Sequence, residues 1–198
     1  MTTDKNVAGL LLAAGAGRRM GMPKALVTYR GRLFVESAAD VLAGGGCRPV
    51  LVVLGAEADR VRKSARLDGF QIVDNPDWNE GMGASVRVGL GTVGALSDVT
   101  AAVVLPVDVP GVTSAAVARL VAVAAPDVLA RASFDGVPGH PVVIGRNHWT
   151  GVIESAVGDV GARDYLRSRA RDVLDVPCGD VAVGTDVDRP ADLDRLAP

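Results

Sequence analysis

The stretch Val7 to Ala14 (VAGLLLAA) is apolar or glycine at every position, with no polar residue alternating through it. A strand of that kind is covered on both faces, which is the situation inside a parallel sheet flanked by helices. The following segments fit such a sheet. PVLVVLG (Pro49 to Gly55), QIVDN (Gln71 to Asn75) and AAVVLPVD (Ala101 to Asp108) read as further strands. Between them lie Leu33 to Leu42, which stops at three successive glycines, the polar-faced AEADRVRKSAR, and Met82 to Leu96, all with helical spacing of apolar residues. Ser114 to Ala124 supplies another helix after the most apolar strand. This alternation predicts an α/β fold, a three-layer sandwich whose mostly parallel central sheet binds ligands outside the carboxyl ends of its strands.

The second half changes character. VLARAS and HPVVIG read as two strands joined by the FDGVPG turn region, which gives the sheet a mixed edge. A helix over Gly161 to Ala170 follows, then DVLDVP and VAVGTDVD as short strands and a terminal helix in ADLDRL. No linker, internal repeat or low-complexity tract interrupts the chain, so residues 1–198 are expected to form one domain.

Charge and composition narrow the partners. The formal net charge is −2 and aromatic residues make up 4% of the chain, so neither a basic face nor a base-stacking platform for nucleic acid is expected. Cys47 and Cys178 lack CxxC spacing or a neighbouring histidine and read as unrelated thiols in a reducing compartment. No apolar run approaches the ~20 residues that span a bilayer. The polar MTTDKNVAG start lacks the design of a signal peptide, and a cytoplasmic location without membrane partners is the expectation.

The loop after the first strand carries the strongest chemical signal. In LLLAAGAGRRMGMPKAL, Gly15, Gly17 and Gly21 are spaced G-x-G-x-x-x-G, which misses the dinucleotide fingerprint by one residue, and Pro23 follows at once. Lys24 sits between Pro23 and Ala25, so the P-loop pattern fails too. What remains is a glycine loop with Arg18, Arg19 and Lys24. Its backbone amides can approach an anion closely, while arginine forks and a lysine charge neutralise phosphate.

A triphosphate site calls for magnesium and therefore for carboxylates at strand ends. Asp108, between Pro106 and Pro110 after the most apolar strand, is the first candidate; a turn aspartate capping the helix near Ser114 is its structural alternative. The second cluster is GTDVDRPADLDRL, where spacing does not choose between Asp186 and Asp188. One of the pair reaches a metal while the other caps the helix after Pro190, and Asp192 and Asp194 are expected to be solvated. His140, between Gly139 and Pro141, is balanced between a turn and a ligand-facing role; His148 reads as structural.

These blocks resemble the MobA-like nucleotidyltransferases, which have a Rossmann-like sheet, and within them the molybdenum cofactor cytidylyltransferases. The likeness rests on LAAGAGRRMGMPKAL, NPDWNEGMGASVRVGL, LPVDVPGVT, DGVPGHPVVIGRNHW, GDVGARDYL and DVDRPADL, in order along nearly the whole chain. The resemblance implies that Leu12, Ala13, Ala14, Gly15 and Gly17 line the nucleotide, with the Ala-Ala-Gly version matching a pyrimidine base. It implies that Arg18 and Lys24 hold the triphosphate, and that Asn75, Gly81 and Ser85 close over base and ribose. Asp108 would bind Mg2+ with Asp186 as its partner, and Arg189 stands where the family usually has threonine. His140, Gly158, Asp159 and Arg163 would face the acceptor. The implied reaction transfers CMP from CTP to the terminal phosphate of a molybdopterin-type cofactor, with a recipient molybdoenzyme as a further partner. A guanylyltransferase or sugar-phosphate nucleotidyltransferase of the same fold, and a non-catalytic nucleotide- or cofactor-binding accessory protein, are the competing readings.

Overall fold

A computed structural model describes residues 6–196. The strands and helices, in chain order, are β1 (Val7–Ala13), β2 (Thr28–Tyr29), β3 (Arg32–Leu33), α1 (Phe34–Gly44), β4 (Val50–Leu54), α2 (Ala58–Ser64), β5 (Gln71–Asp74), α3 (Met82–Gly94), β6 (Ala101–Pro106), α4 (Ser114–Val123), β7 (Leu129–Phe134), β8 (Val137–Gly145), α5 (Trp149–Ser155), α6 (Arg163–Ser168) and β9 (Val173–Pro177). β5, β4, β1, β6, β8, β7 and β9 hydrogen-bond in that order into one sheet. β1 pairs in parallel with both β4 and β6, and only β8 runs antiparallel to its neighbours, giving the expected mixed edge.

Continuous burial of β1 follows from its central place. Val7, Leu11 and Ala13 point to the face covered by α1, α2 and α4, while Ala8, Leu10, Leu12 and Ala14 point to the face covered by α3, α5 and α6. Each side chain of the strand therefore leaves water whichever way the pleat turns it. The covered faces need small residues where helices come close: a Cβ at Gly89 of α3 would lie 2.6 Å from the Leu10 side chain.

Three expectations need correcting. The turn between β7 and β8 is only Asp135–Gly136, both at positive φ, so β8 begins at Val137 rather than at His140. An Asp-Gly pair suits the tight turn whose twist matches the strands, and the hairpin therefore pairs up to its tip. VAVGTDVD is not a strand. Its amides reach loop carbonyls, Val183 to Gly111 and Val187 to Asp108, so it lies along the loop after β6 without a ladder partner. The terminal ADLDRL forms a 3-10 segment over Pro190–Leu196 rather than an α-helix. The β2–β3 ribbon, with two residues in each strand, is too short for any periodicity to signal it.

Candidate active site

β1 ends at Ala13 and releases the glycine loop at the carboxyl edge of the sheet. Gly17 sits at φ +61°, and a Cβ there would lie 1.9 Å from the Met22 carbonyl oxygen. Only glycine lets the loop double back. The amides of Met20 and Gly21 both donate to the Gly17 carbonyl at 2.9 Å, and the chain then enters a single 3-10 turn, Lys24–Leu26. Ala25 and Leu26 are buried in this turn, which anchors Lys24 from behind.

Lys24 Nζ donates to Asp108 Oδ2 at 2.7 Å and to Asp188 Oδ1 at 2.6 Å. Asp108 stands two residues past β6, the strand beside β1, so the topology itself brings the pair together. The structural alternative for Asp108 fails, because Thr113 caps α4 by accepting from the Ala116 amide. Asp188 also takes an ion pair from Arg19 Nη1 at 2.8 Å. Its backbone is fixed by Asp192, whose carboxylate accepts from the amides of Asp188 and Arg189 at 3.0 and 2.8 Å. Asp192, read from sequence as solvated, therefore builds the site.

Burial alone would lower the Lys24 ammonium, but the hydrogen bonds to Asp108 and Asp188, with their charges, raise it. The Lys24 hydrogen bond holds the Asp188 carboxyl below its usual range. Asp186 moves the other way. Desolvation raises it first, and the negative charges of Asp108 and Asp188 add to that against the opposing charges of Lys24 and Arg163. His140 is lowered by desolvation, with Asp108 opposing and Arg163 reinforcing the shift. The charges of Asp108 and Arg163 act on both Asp186 and His140, so these candidates from β8, α6 and the C-terminal coil stand near one another beside Lys24.

A cavity of 530 Å³ opens over this cluster. Leu12, Ala14, Gly15, Gly17, Arg18 and Lys24 line one side, Gly81 and Ser85 another, and Asp108, Asp159 and Asp188 the rest. A Cβ on Gly15 would meet nothing within 4 Å, so this residue leaves open space in the cavity wall. Ala13 offers the cavity no side chain, because its methyl packs into the core on the opposite face of the sheet. Asn75 is 3% exposed and is used internally: its Nδ2 donates to Ser85 Oγ at 3.0 Å and its Oδ1 accepts from the Asp77 amide. Ser85 accepts from Asn75 and so keeps its own proton to donate into the cavity. His140, Gly158, Arg163 and Asp186 lie outside the lining of this cavity.

Arg19, Trp78, Asn79 and Met82 also line the cavity. Trp78 and Asn79 stand between Asn75 and Gly81 in the NPDWNEGMG block, where that position was the available signal. Nothing in the sequence signals the Lys24–Asp188 contact, whose partners are 164 residues apart.

The donor set suits a hard divalent cation. Among the described residues no group of three or more His, Cys, Asp or Glu side chains could by itself hold a metal ion. Magnesium needs no such cage, since it takes one or two carboxylates and completes its shell with water and substrate phosphate oxygens. Asp108 and Asp186 are oxygen donors whose mutual repulsion a cation would relieve. The cysteines take no part: both are free and buried, and burial pushes the Cys47 thiol up to about 12. No helix among the described residues is long and apolar enough to cross a membrane.

Comparison with known proteins gives a consistent family. The model described as "MobA-like NTP transferase domain" matches residues 9–173. Nicotine blue oxidoreductase of Paenarthrobacter nicotinovorans is 39% identical over 96% of both chains. The crystal structure of Rv0371c from Mycobacterium tuberculosis superposes with a TM-score of 0.84 at 29% identity over 98% of each chain. The same protein in complex with manganese gives 0.80 at 27% identity, covering 97% of this chain and 98% of that one. A probable molybdenum cofactor guanylyltransferase from Bacillus cytotoxicus is 50% identical over a short stretch, 19% of each chain.

Proposed function

The chain belongs to the MobA-like NTP transferase family, and we propose that it transfers CMP from CTP to the terminal phosphate of a molybdopterin-type cofactor. The observation that carries the transfer is Lys24, held by Asp108 and Asp188 at the wall of a cavity that the glycine loop lines. An acceptor phosphate oxygen attacks the α-phosphorus of the nucleotide, a new P–O bond forms, and the α–β bond breaks to release pyrophosphate. The attacking oxygen is already anionic near neutral pH, so no general base is needed. Catalysis then depends on positioning and on charge neutralisation.

Lys24, freed in part from its carboxylates, neutralises the triphosphate, and Arg18 and the loop amides hold its oxygens. Asp108 and Asp186 would hold magnesium, which supplies a Lewis acid for the phosphate oxygens when bound. The manganese complex of the Mycobacterium tuberculosis relative supports a divalent cation here. The Ala14 methyl lines the cavity. Bulk at that point favours the smaller pyrimidine ring, which supports CTP over GTP. The short match to a molybdenum cofactor guanylyltransferase supports the acceptor class.

The name of the 39%-identical relative favours a second reading, a redox enzyme on the same fold. One experiment separates the two. Pyrophosphate release is followed with Mg2+ and CTP or GTP, with and without molybdopterin cofactor. A parallel arm follows oxidation of a reduced nicotinamide dinucleotide without NTP, with a quinonoid dye added as the two-electron acceptor. Release that needs CTP and cofactor together is the expected result. Nicotinamide oxidation without pyrophosphate release would overturn the proposal in favour of the redox reading.

A further inference from the structure

Two backbone segments meet at the rim of the cavity, and a single side chain outside its lining binds both. The first is the turn Trp78–Gly81 before α3, on the nucleotide side. The second is Ala156–Gly161 between α5 and α6, which holds Gly158 and Asp159 on the acceptor side. They touch closely. A Cβ on Gly81 would lie 2.5 Å from Asp159 Oδ1 and 2.6 Å from the Gly158 backbone, and one on Gly83 would lie 2.7 Å from the Ala156 carbonyl oxygen. Gly81 is at φ +107°, a conformation that side-chain-bearing residues rarely adopt.

Arg87, on the second turn of α3, spans this contact. Its Nη1 donates to the Ala156 carbonyl at 2.6 Å and its Nη2 to Glu80 Oε2 at 2.7 Å. The planar guanidinium fixes both directions at once, which a lysine could not do. Ser85, which lines the nucleotide cavity, and Arg87 share the first turns of the same helix. A ligand that orders the Trp78–Ser85 segment therefore pulls on a group bonded to the acceptor segment.

We propose that Arg87 is a positioning residue that clasps Glu80 to the Ala156 carbonyl, so that nucleotide binding orders the Ala156–Gly161 segment for the acceptor. This rests on the nucleotide reading of the cavity. Filling the cavity with nucleotide stiffens the turn at Glu80, Arg87 transmits the restraint, and the segment carrying Asp159 loses freedom before the acceptor arrives. Acceptor binding then costs less, which is positive coupling between two substrates without a large change in shape.

Hydrogen–deuterium exchange on the full chain tests it, with Mg2+ and saturating CTP, and GTP in a parallel arm. In the parent, nucleotide is expected to slow exchange at residues 13–24 and also at residues 156–161. Arg87→Ala should retain the first effect and lose the second by about fivefold or more. Glu80→Ala cuts the same clasp at an exposed residue, leaves α3 intact, and should give the same split. Equal slowing at 156–161 in parent and variants overturns the clasp, as does slowing at 13–24 in the parent with none at 156–161. No slowing at 13–24 in the parent with either nucleotide overturns the nucleotide reading and the clasp with it.

Discussion

The Lys24 cradle and the wall of Asp186 and His140 beside it differ in how they treat charge. In the cradle, Lys24 is raised and Asp188 is lowered, so each partner holds the other ionised. On the wall Asp186 is raised and His140 is lowered, and desolvation pushes each of these toward its neutral form. The cradle is a satisfied network in the absence of ligand. The wall disfavours its charged forms, and a cation beside Asp186 and Asp108 would relieve their repulsion. Stability and binding readiness are thus separated within one site.

The sharpest way to break the comparison is to remove the cradle's centre. Lys24→Ala should reduce pyrophosphate release by on the order of 10³-fold, because a preorganised charge at the triphosphate is lost. It should also cost about 1–3 kcal/mol of stability, the scale of hydrogen bonds to charged groups, as Asp108 and Asp188 lose their partner. Turnover and urea unfolding measure the two separately. Unchanged pyrophosphate release would remove Lys24 from the chemistry whatever happened to stability.

Asp108 stands where the two regions meet, and its substitution should give the next largest effect. Asp108→Asn keeps a hydrogen-bond acceptor for Lys24 but removes a negative oxygen donor. Turnover should fall by on the order of 10²-fold at fixed Mg2+, with partial recovery at higher Mg2+. A magnesium titration reads this directly. An identical half-saturation in parent and variant would place the cation elsewhere.

How much of this was legible beforehand follows the same division. The cradle's loop is written locally: an apolar strand, closely spaced glycines and a Pro-Lys step lie within LLLAAGAGRRMGMPKAL. Gly17 stands out by its place in that glycine spacing, and the structure supplies the reason, since a Cβ there would meet the Met22 carbonyl oxygen. The wall is assembled from β8, α6 and a coil that no periodicity describes. VAVGTDVD has the composition of a strand, yet its Val183 and Val187 amides donate to Gly111 and Asp108 in a loop, so a tertiary partner overrides β-propensity. The role of Asp192 is hidden in the sequence for a related reason. Its value comes from two backbone amides that are exposed to it only once the coil turns after Val187.

Histidine 140 offers a smaller test on the wall side. Its folded-state value lies below the ordinary 6.5, so the fold binds fewer protons there than the unfolded chain. The stability this contributes is present above pH 6.5 and is lost as pH falls through the lowered folded-state value. His140→Gln removes that dependence. Between pH 7.5 and 5 the variant should lose about 1–3 °C less in Tm than the parent, measured by circular dichroism. Parallel Tm curves would mean that His140 is as solvated in the fold as in the unfolded chain.

The smallest effect has the opposite sign and tests the contrast most directly. Asp186 is raised above 3.8 in the fold, so ionising it costs the folded state more than the unfolded one. Its favourable contribution exists only at pH below the unfolded value and is lost as pH rises through the folded-state value. At neutral pH the carboxylate is therefore a net liability for the fold. Asp186→Asn should raise Tm at pH 7 by about 1–2 °C and give no gain near pH 3. The same variant should lose turnover in Mg2+, since the repulsion that weakens the fold is what a cation answers. A lowered Tm at pH 7 would show Asp186 to be a structural partner and would place it on the satisfied side of the site.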